Sequence, residues 1–588
     1  MDTSDFSNPL ESSNPSEQPA GRGFSVSYRG KTLLSRVDPV AQCERIAAGI
    51  PVKDRTLYLC PSPLYGYGLS ILLDKLEPNS AVLCVEADEK LFALSETNLP
   101  RNSGSSPASP KERKLASLAL ARAKDPLEIC AFSRETWGKR VFRRVEVVRL
   151  TGGWQLSRQL YDDIEKALGK EIAIEWGNAM TLIRLGRLYT RNLIRNLALL
   201  PGSESLAALD FGSRPVLVLG AGPSLDSLLD EEGVLAGGER RFRIVCVDTC
   251  LPALLEREIS PDVVVVLESQ HWNLADFRGA RGRKIDAALD LSALPASTRV
   301  LAGKRYFFAT PWTELALFAR LEAEGLLPKT FAPMGSVGLS AVALALAATR
   351  APVLTAGIDF SYTLDAYHGR STPGRRNLEA RQSRFRTLIN AAAALREGTY
   401  NALSKTGKRL RSDPAMRNYR DLFEEEFGGN PRLFDIAGPG LPLGIKTVSA
   451  AEAFAILNGG DAILNDGDAL NGSGAIPGGT HEMAPIREEP VRDFPANLLR
   501  EKLPVFIRRE IGLLSELKET LSGNVSPERL EELLDECDYL WAHFPDCAGA
   551  GRRPPSTDLS FLKRVRTEIE PFLRLWEMSL NELEKEEN

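Results

Sequence analysis

Metal and redox chemistry have little to work with in this chain of 588 residues. It holds four histidines, His271, His368, His481 and His543, and eight cysteines with no CxxC pair among them. Neither a zinc site nor a disulfide framework is supported. Long apolar runs are missing too, since nothing approaches the ~20 residues of a membrane span. The first twenty residues are polar and lack the basic and apolar regions of a secretory leader; a disordered tail is expected over 1–20. A dominant charge is also absent. A net charge of −5 gives no case for nucleic acid or an anionic membrane as partner. These absences point to a reduced, cytoplasmic protein.

What is present is enough apolar sequence for real cores, 43%, with an ordinary 26% of charged residues. The length suggests roughly three or four domains of ~150 residues. The stretch that organises the rest is PVLVLGAGPSLDSLL, Pro215 to Leu229. Val216–Leu219 form an uninterrupted apolar run that reads as a buried parallel strand. Gly220 and Gly222 allow a sharp turn and a close backbone approach. Pro223 suits a first helical position, and Leu225, Leu228 and Leu229 share a helix face. Free N–H groups at Ser224 and Leu225 would favour an anion. The unit fits either a phosphate site or a tightly packed turn. It is not the dinucleotide fingerprint, because the third glycine is replaced by Leu225. Nor is there a P-loop: Gly30-Lys31-Thr32 is a near miss, with Ser25 where a glycine belongs.

In chain order, FSVSYRGKTLL (24–34) suggests a hairpin around Arg29-Gly30. LYLC (57–60), a loop with Gly66 and Gly68, a helix, and AVLCVEA (81–87) make a strand–turn–helix–strand ending at Glu86. That acid would either hold a ribose or belong to a structural layer with a worn site. Residues 98–112 read as a flexible insertion, and a strand is expected within 141–150. After a helical bridge at 151–200 come strands at 242–249, 262–269, 306–310, 330–333, 352–359 and 432–437, with helices between them. This alternation predicts an α/β fold: a Rossmann-like doubly wound central domain over 201–464, a smaller α/β N-terminal domain over 21–150, a linker at 465–489 and an α-helical C-terminal bundle over 490–588. Ligands of such sheets sit beyond the carboxyl ends of the strands. Those ends carry Gly220–Ser224, Asp248-Thr249, Glu268–His271, Gly335-Ser336, Asp359–His368 and Gly438–Gly440.

Four blocks in order, VLGAGPSL, VCVDTCLPALLEREISPDVVVVLES, MGSVGLSAVALA and LTAGIDFSYTLDAYHG, resemble the motility-associated factor family of flagellin glycosyltransferases. The family's central domain is of the 6-hydroxymethylpterin diphosphokinase MptE-like (DUF115) type and is similar to bacterial sialyltransferases. GKTLLSRVDP and LYGYGLSILL are similar to the family's N-terminal region. The resemblance implies transfer of a sialic-acid-like, nonulosonic sugar from a CMP donor to Ser or Thr of flagellin, with no tightly bound cofactor and no metal. It implies that Gly220, Gly222, Pro223 and Ser224 cradle the nucleotide, with Asp248, Thr249 and Glu268 on neighbouring turns. Glu268 falls where many relatives have Asp. Gly335 and Ser336 would bring a second helix N-terminus to the ligand, and Asp359, Tyr362 and Tyr367 match a block beside the donor phosphates. Tyrosine hydroxyls and helix N–H groups stabilise a leaving phosphate without a metal, and a histidine suits the base for an acceptor hydroxyl. His368 is the candidate base and His271 the alternative, although the sialyltransferases carry their base further downstream. Arg370, Arg375, Arg376, Arg381, Arg384 and Arg386 would meet an anionic ligand or form a solvated face. The rival activities are pyrophosphate transfer from ATP to a hydroxymethylpterin and a non-catalytic, nucleotide-binding role in flagellar assembly.

Overall fold

Short runs of buried β-branched and aliphatic residues build two parallel sheets. The structure is a computed structural model, and it describes residues 14–77, 79–99, 117–138, 140–230, 235, 240–363, 367–388, 395–459, 496–523, 526–550 and 553–586. The chain divides into two units, residues 1–185 with 541–555, and residues 186–540 with 556–588.

In the first unit, β1 (Ser16–Ala20), β2 (Gly23–Tyr28) and β3 (Lys31–Thr32) form an antiparallel sheet. The β2–β3 turn is the expected one, with Arg29 at φ 48° and Gly30 at φ 71°, the two left-handed residues that a tight hairpin requires. The expected tail is corrected at its end, since Ser16–Ala20 pairs with β2; residues 1–13 lie outside the described residues. β4 (Thr56–Pro61), β5 (Ala81–Glu86), β6 (Leu118–Arg122) and β7 (Arg144–Val147) form a parallel sheet in the order β6-β5-β4-β7. β6 was not foreseen, and residues 100–112 of the expected insertion lie outside the described residues.

The second unit holds eight parallel strands: β8 (Val216–Leu219), β9 (Arg243–Val247), β10 (Val263–Val266), β11 (Asp286–Asp290), β12 (Arg305–Phe308), β13 (Val353–Ala356), β16 (Leu433–Ile436) and β17 (Lys446–Val448). Their order is β12-β11-β10-β9-β8-β13-β16-β17. The strands from β8 to β12 add to one side. The chain then returns to lay β13 on the other side of β8, so the order reverses between β8 and β13. That reversal is the topological switch point, where open α/β sheets take ligands. Every residue of β8, β10 and β13 is buried, as both-faced cover demands. The helix Val337–Ala348, rich in Ala and Leu, packs on β8, β9, β10 and β13. Its small side chains let it lie close to the sheet.

The strand expected at 330–333 is not one. Thr330 makes a single bridge to Ala309, and Pro333 has no N–H to extend a ladder. A hairpin absent from the sequence reading, β14 (Tyr400–Leu403) and β15 (Arg409–Ser412), inserts between β13 and β16. The C-terminal helices Ala496–Thr520, Pro527–Glu536 and Leu559–Glu586 fall in the same unit as the central sheet. They pack on one another and are tied to the helix Ala316–Ala323 by Arg320, whose Nε and Nη2 donate to buried Glu510 at 2.7 and 2.8 Å. The expected linker and His481 lie outside the described residues. All eight cysteines are buried and unpaired. Among the described residues no helix is long and apolar enough to cross a membrane.

Candidate functional site

The loop after β8 is glycine-rich because another loop needs the space. Gly220 packs against the Gly357 carbonyl at the end of β13, and Gly357 sits at φ 76°. A Cβ on Gly222 would lie 2.5 Å from Asp359 Oδ2 and 2.8 Å from Gly357 O. The loop after β16 closes in as well: a Cβ on Gly438 would meet Ser224 Cβ at 2.9 Å, and one on Gly440 would meet Asp359 Oδ1 at 2.9 Å. Three strand-end loops therefore pack backbone to backbone at the switch point.

This corrects the expectation of free N–H groups at Ser224 and Leu225. Ser224 N–H donates to Asp359 Oδ2 at 2.7 Å and its hydroxyl donates to Oδ1 at 2.5 Å. The Leu225 N–H goes to Gly222 O at 3.0 Å. Pro223 stands one residue before the helix Ser224–Asp230. The Asp359 carboxylate occupies the position assigned from sequence to an incoming phosphate. Burial raises its pKa to about 6, against the pull of Lys405. Lys405, at the tip of the β14–β15 hairpin, is itself buried and donates to both oxygens of Asp435 at 2.8 and 2.6 Å. The floor of the crevice is thus closed by the chain's own ions.

Tyr362, Tyr367 and His368 separate in role. The Tyr362 hydroxyl donates to Asp413 Oδ2 at 2.6 Å, and its backbone bridges Arg411; it anchors the hairpin and its donor is already engaged. The segment with Tyr367 and His368 does lie against the β8 loop, since the next N–H, of Gly369, donates to Ala221 O at 2.9 Å. The two rings sit 4.6 Å apart. His368 Nδ1 is buried without a partner, and burial lowers its pKa to about 4. At neutral pH it is uncharged and a weak proton acceptor, which argues against the role of general base. His271 is exposed, its ring tilted against Trp272 at 3.9 Å. Of the arginines, Arg370 pairs with Asp226 and Asp230, Arg375 with Glu379 and Arg376 with Glu256. Arg381, Arg384 and Arg386 are exposed.

Beyond β9 and β10 the edge holds a second group of acids. Asp248 is buried and accepts from Thr249 N–H at 2.8 Å, the Thr249 hydroxyl at 3.2 Å and Asn273 Nδ2 at 2.6 Å. Burial raises its pKa to about 6. Asn273 Nδ2 also reaches Asp276 Oδ2 at 3.3 Å, and burial plus the Asp248 charge push Asp276 up to about 7. Glu268 is exposed beside them and adds to both shifts. Asp290, at the end of β11, is by contrast filled from within by Ser292 and Thr310, each giving its N–H and its hydroxyl.

The helix Arg158–Leu197 brings further groups to this edge from its last turns. Asn192 Nδ2 donates to the carbonyls of Ser269 and Ser292, and Asn196 Nδ2 to those of Leu291 and Ala293. These two amides, one turn apart, fix the loops after β10 and β11. Tyr189, its ring tilted against Trp312 at 5.2 Å, feels Glu268, Asp290 and Tyr419, and with burial as the larger cause its hydroxyl is raised to about 12. Tyr419 in turn touches Gly335, whose φ is 67°. Gly335 leads into Ser336, the N-cap of Val337–Ala348, which has no side-chain cap and no acid in its first turn. The N-terminus at Ser224, by contrast, meets the Asp359 carboxylate. Sequence reasoning missed Asn273, Asp276, Lys405, Tyr189 and Tyr419. An amide and an acid three residues apart just after Glu268–His271 were the available signal for the first two. Nothing in Ser404–Gly407 marks Lys405 as buried.

Residues 190–365 match the family described as 6-hydroxymethylpterin diphosphokinase MptE-like. A Treponema pallidum (strain Nichols) protein, described only as uncharacterized, is 30% identical over 567 residues, covering 94% of this chain and 93% of the relative. The chain belongs to the same family as that protein, with an MptE-like domain at its centre, as the four sequence blocks led us to expect. Its fold is shared with the MAf glycosyltransferase from Magnetospirillum magneticum AMB-1, at a TM-score of 0.52 and 14% identity, over 97% of this chain and 92% of that one.

Proposed function

We propose that the central unit is a glycosyltransferase that moves a nonulosonic sugar from a CMP donor to Ser or Thr of flagellin. The observation that carries this reading is the carboxyl edge from β9 to β13. There an uncapped helix N-terminus at Gly335-Ser336 and the acid–amide group Asp248–Asn273–Asp276 accompany the switch point. A helix N-terminus stabilises a leaving phosphate through N–H groups and dipole, and carboxylates accept from sugar or ribose hydroxyls. The shared fold of the MAf glycosyltransferase supports the class, and the resemblance supports donor and acceptor. Direct displacement with inversion is the simplest course. The acceptor oxygen bonds to the anomeric carbon as the carbon–oxygen bond to phosphate breaks, and the bonding pair leaves with CMP. The Gly220–Ser224 turn serves in this reading as the rigid wall behind the donor, with Tyr367 and His368 lying over it. Buried unpaired cysteines suit a reducing, cytoplasmic setting.

The description of the matching family favours one second reading, pyrophosphate transfer from ATP to a hydroxymethylpterin. Calorimetry separates the two. The transferase reading expects CMP to bind more tightly than ATP, and flagellin from cells carrying the intact gene to be heavier than that from deletion cells by whole nonulosonic-acid units. Equal flagellin masses together with ATP-dependent pterin pyrophosphorylation would promote the second reading.

A further inference from the structure

Asn273 presents an unfilled acceptor in a buried place. The residue is 2% exposed. Its Nδ2 spans two carboxylates, Asp248 Oδ2 at 2.6 Å and Asp276 Oδ2 at 3.3 Å, while its Oδ1 is buried and has no hydrogen-bond partner. A buried amide oxygen without a donor is costly, and here it lies beside two acids. The two acids it bridges are unequal. Asp248 accepts three hydrogen bonds, two from Thr249 and one from Asn273. Asp276 holds only the long contact from Asn273 through one oxygen, and among the described residues it has no ion-pair partner. One acid is thus fixed, and its neighbour is left able to accept. The unfilled Asn273 oxygen beside them calls for a hydroxyl donor.

We propose, on the footing of the glycosyl-transfer reading, that Asp276 receives the proton of the attacking acceptor hydroxyl while Asn273 Oδ1 orients that hydroxyl. The balance is simple. The acceptor O–H breaks, its oxygen forms the bond to the anomeric carbon, the donor's carbon–oxygen bond breaks with its electron pair leaving on CMP, and the proton passes to the Asp276 carboxylate and then to solvent. The groups facing Asp276 are Asp248 after β9 and Glu268 after β10, both acids. With burial they set its proton affinity near neutrality, at about 7, where a general base combines ionised population with driving force. His368, lowered to about 4, lacks that match. Asp248 is a positioning residue in this account, since it holds the amide that aligns the pair.

The test uses the full chain and CMP-N-acetylneuraminic acid in the absence of protein acceptor, with water as the hydroxyl donor, and follows CMP release from pH 5 to 9. The wild type should release CMP with a rate rising through about pH 7. Asp276→Asn should lose at least about 100-fold in that rate and lose the acid limb, while binding CMP within about threefold of wild type. Asp276→Glu, which keeps the carboxyl group, should recover part of the rate and show a limb again; a structural role would give no such limb. Turnover by Asp276→Asn within threefold of wild type would overturn the assignment and leave the transferase reading standing. CMP binding by the wild type without release at any pH would overturn the assignment as well. A wild type that neither binds CMP nor releases it would overturn the transferase reading, and the assignment with it.

Discussion

Two parallel sheets in this chain end in acids, and they treat those acids differently. At the edge of the N-terminal sheet, Glu86 is 1% exposed. It accepts from the Ser62 hydroxyl at 2.6 Å, the Tyr161 hydroxyl at 3.2 Å, and the Ala87 and Asp88 N–H groups at 2.9 and 3.0 Å. No acceptor is left for a ribose, so the internal bonding favours the structural reading of Glu86 over the ligand reading. At the edge of the central sheet, Asp290 accepts the N–H and hydroxyl of both Ser292 and Thr310, and Asp359 those of Ser224, whereas Asp276 has only the 3.3 Å contact from Asn273. A strand-end acid thus identifies an α/β layer; only its unfilled bonding capacity distinguishes a site from a structural cap.

The largest expected effect probes the closed floor. Lys405→Met strands Asp435 without its cation, with both side chains only 2% exposed, and should cost about 3–5 kcal/mol. Calorimetric melting of the full chain should show a lowered transition; an unchanged one would mean that the floor is not closed by this pair. Gly222→Ala should follow, costing about 1–3 kcal/mol because its Cβ would press on Asp359 and on the Gly357 carbonyl. That loss should appear without any nucleotide, which separates a packing glycine from a phosphate-contacting one.

Much of this was legible in the sequence and some was not, for physical reasons. Uninterrupted aliphatic runs announced β8 and β10, and mostly apolar ones β9, β13 and β16. β11, Asp-Ala-Ala-Leu-Asp, did not announce itself, because its acids are satisfied by turns that sequence does not display. The glycine loop was found, but its neighbour Asp359 lies 135 residues away in sequence, so the occupant of the Ser224 N–H could not be read. Asp276 escaped because it falls beyond the strand end, on the short helix His271–Phe277.

A smaller effect sharpens the contrast between the two acids. In the folded chain Asp276 titrates at about 7, above the ~3.9 of an unfolded aspartate. The native state therefore binds more protons than the unfolded state across that window, and this group's contribution makes stability fall as pH rises from about 4 to 7. Asp276→Asn removes the penalty. It should raise the melting temperature by about 1–3 °C at pH 8, with the gain fading as pH falls toward 4. Glu86→Gln should instead lower the melting temperature at pH 8, since an amide cannot accept all four of its hydrogen bonds. The same sign for both variants at pH 8 would erase the distinction.

Hydrogen exchange of the full chain, with and without cytidine 5′-monophosphate, separates the two sheet edges. Exchange should slow in the segments Asp248–Leu251, Glu268–Phe277 and Gly335–Ser340 of the central unit and stay unchanged at Ser62–Leu69 and Glu86–Lys90. Protection at the N-terminal edge, or none at the central one, would refute a ligand site at the central edge.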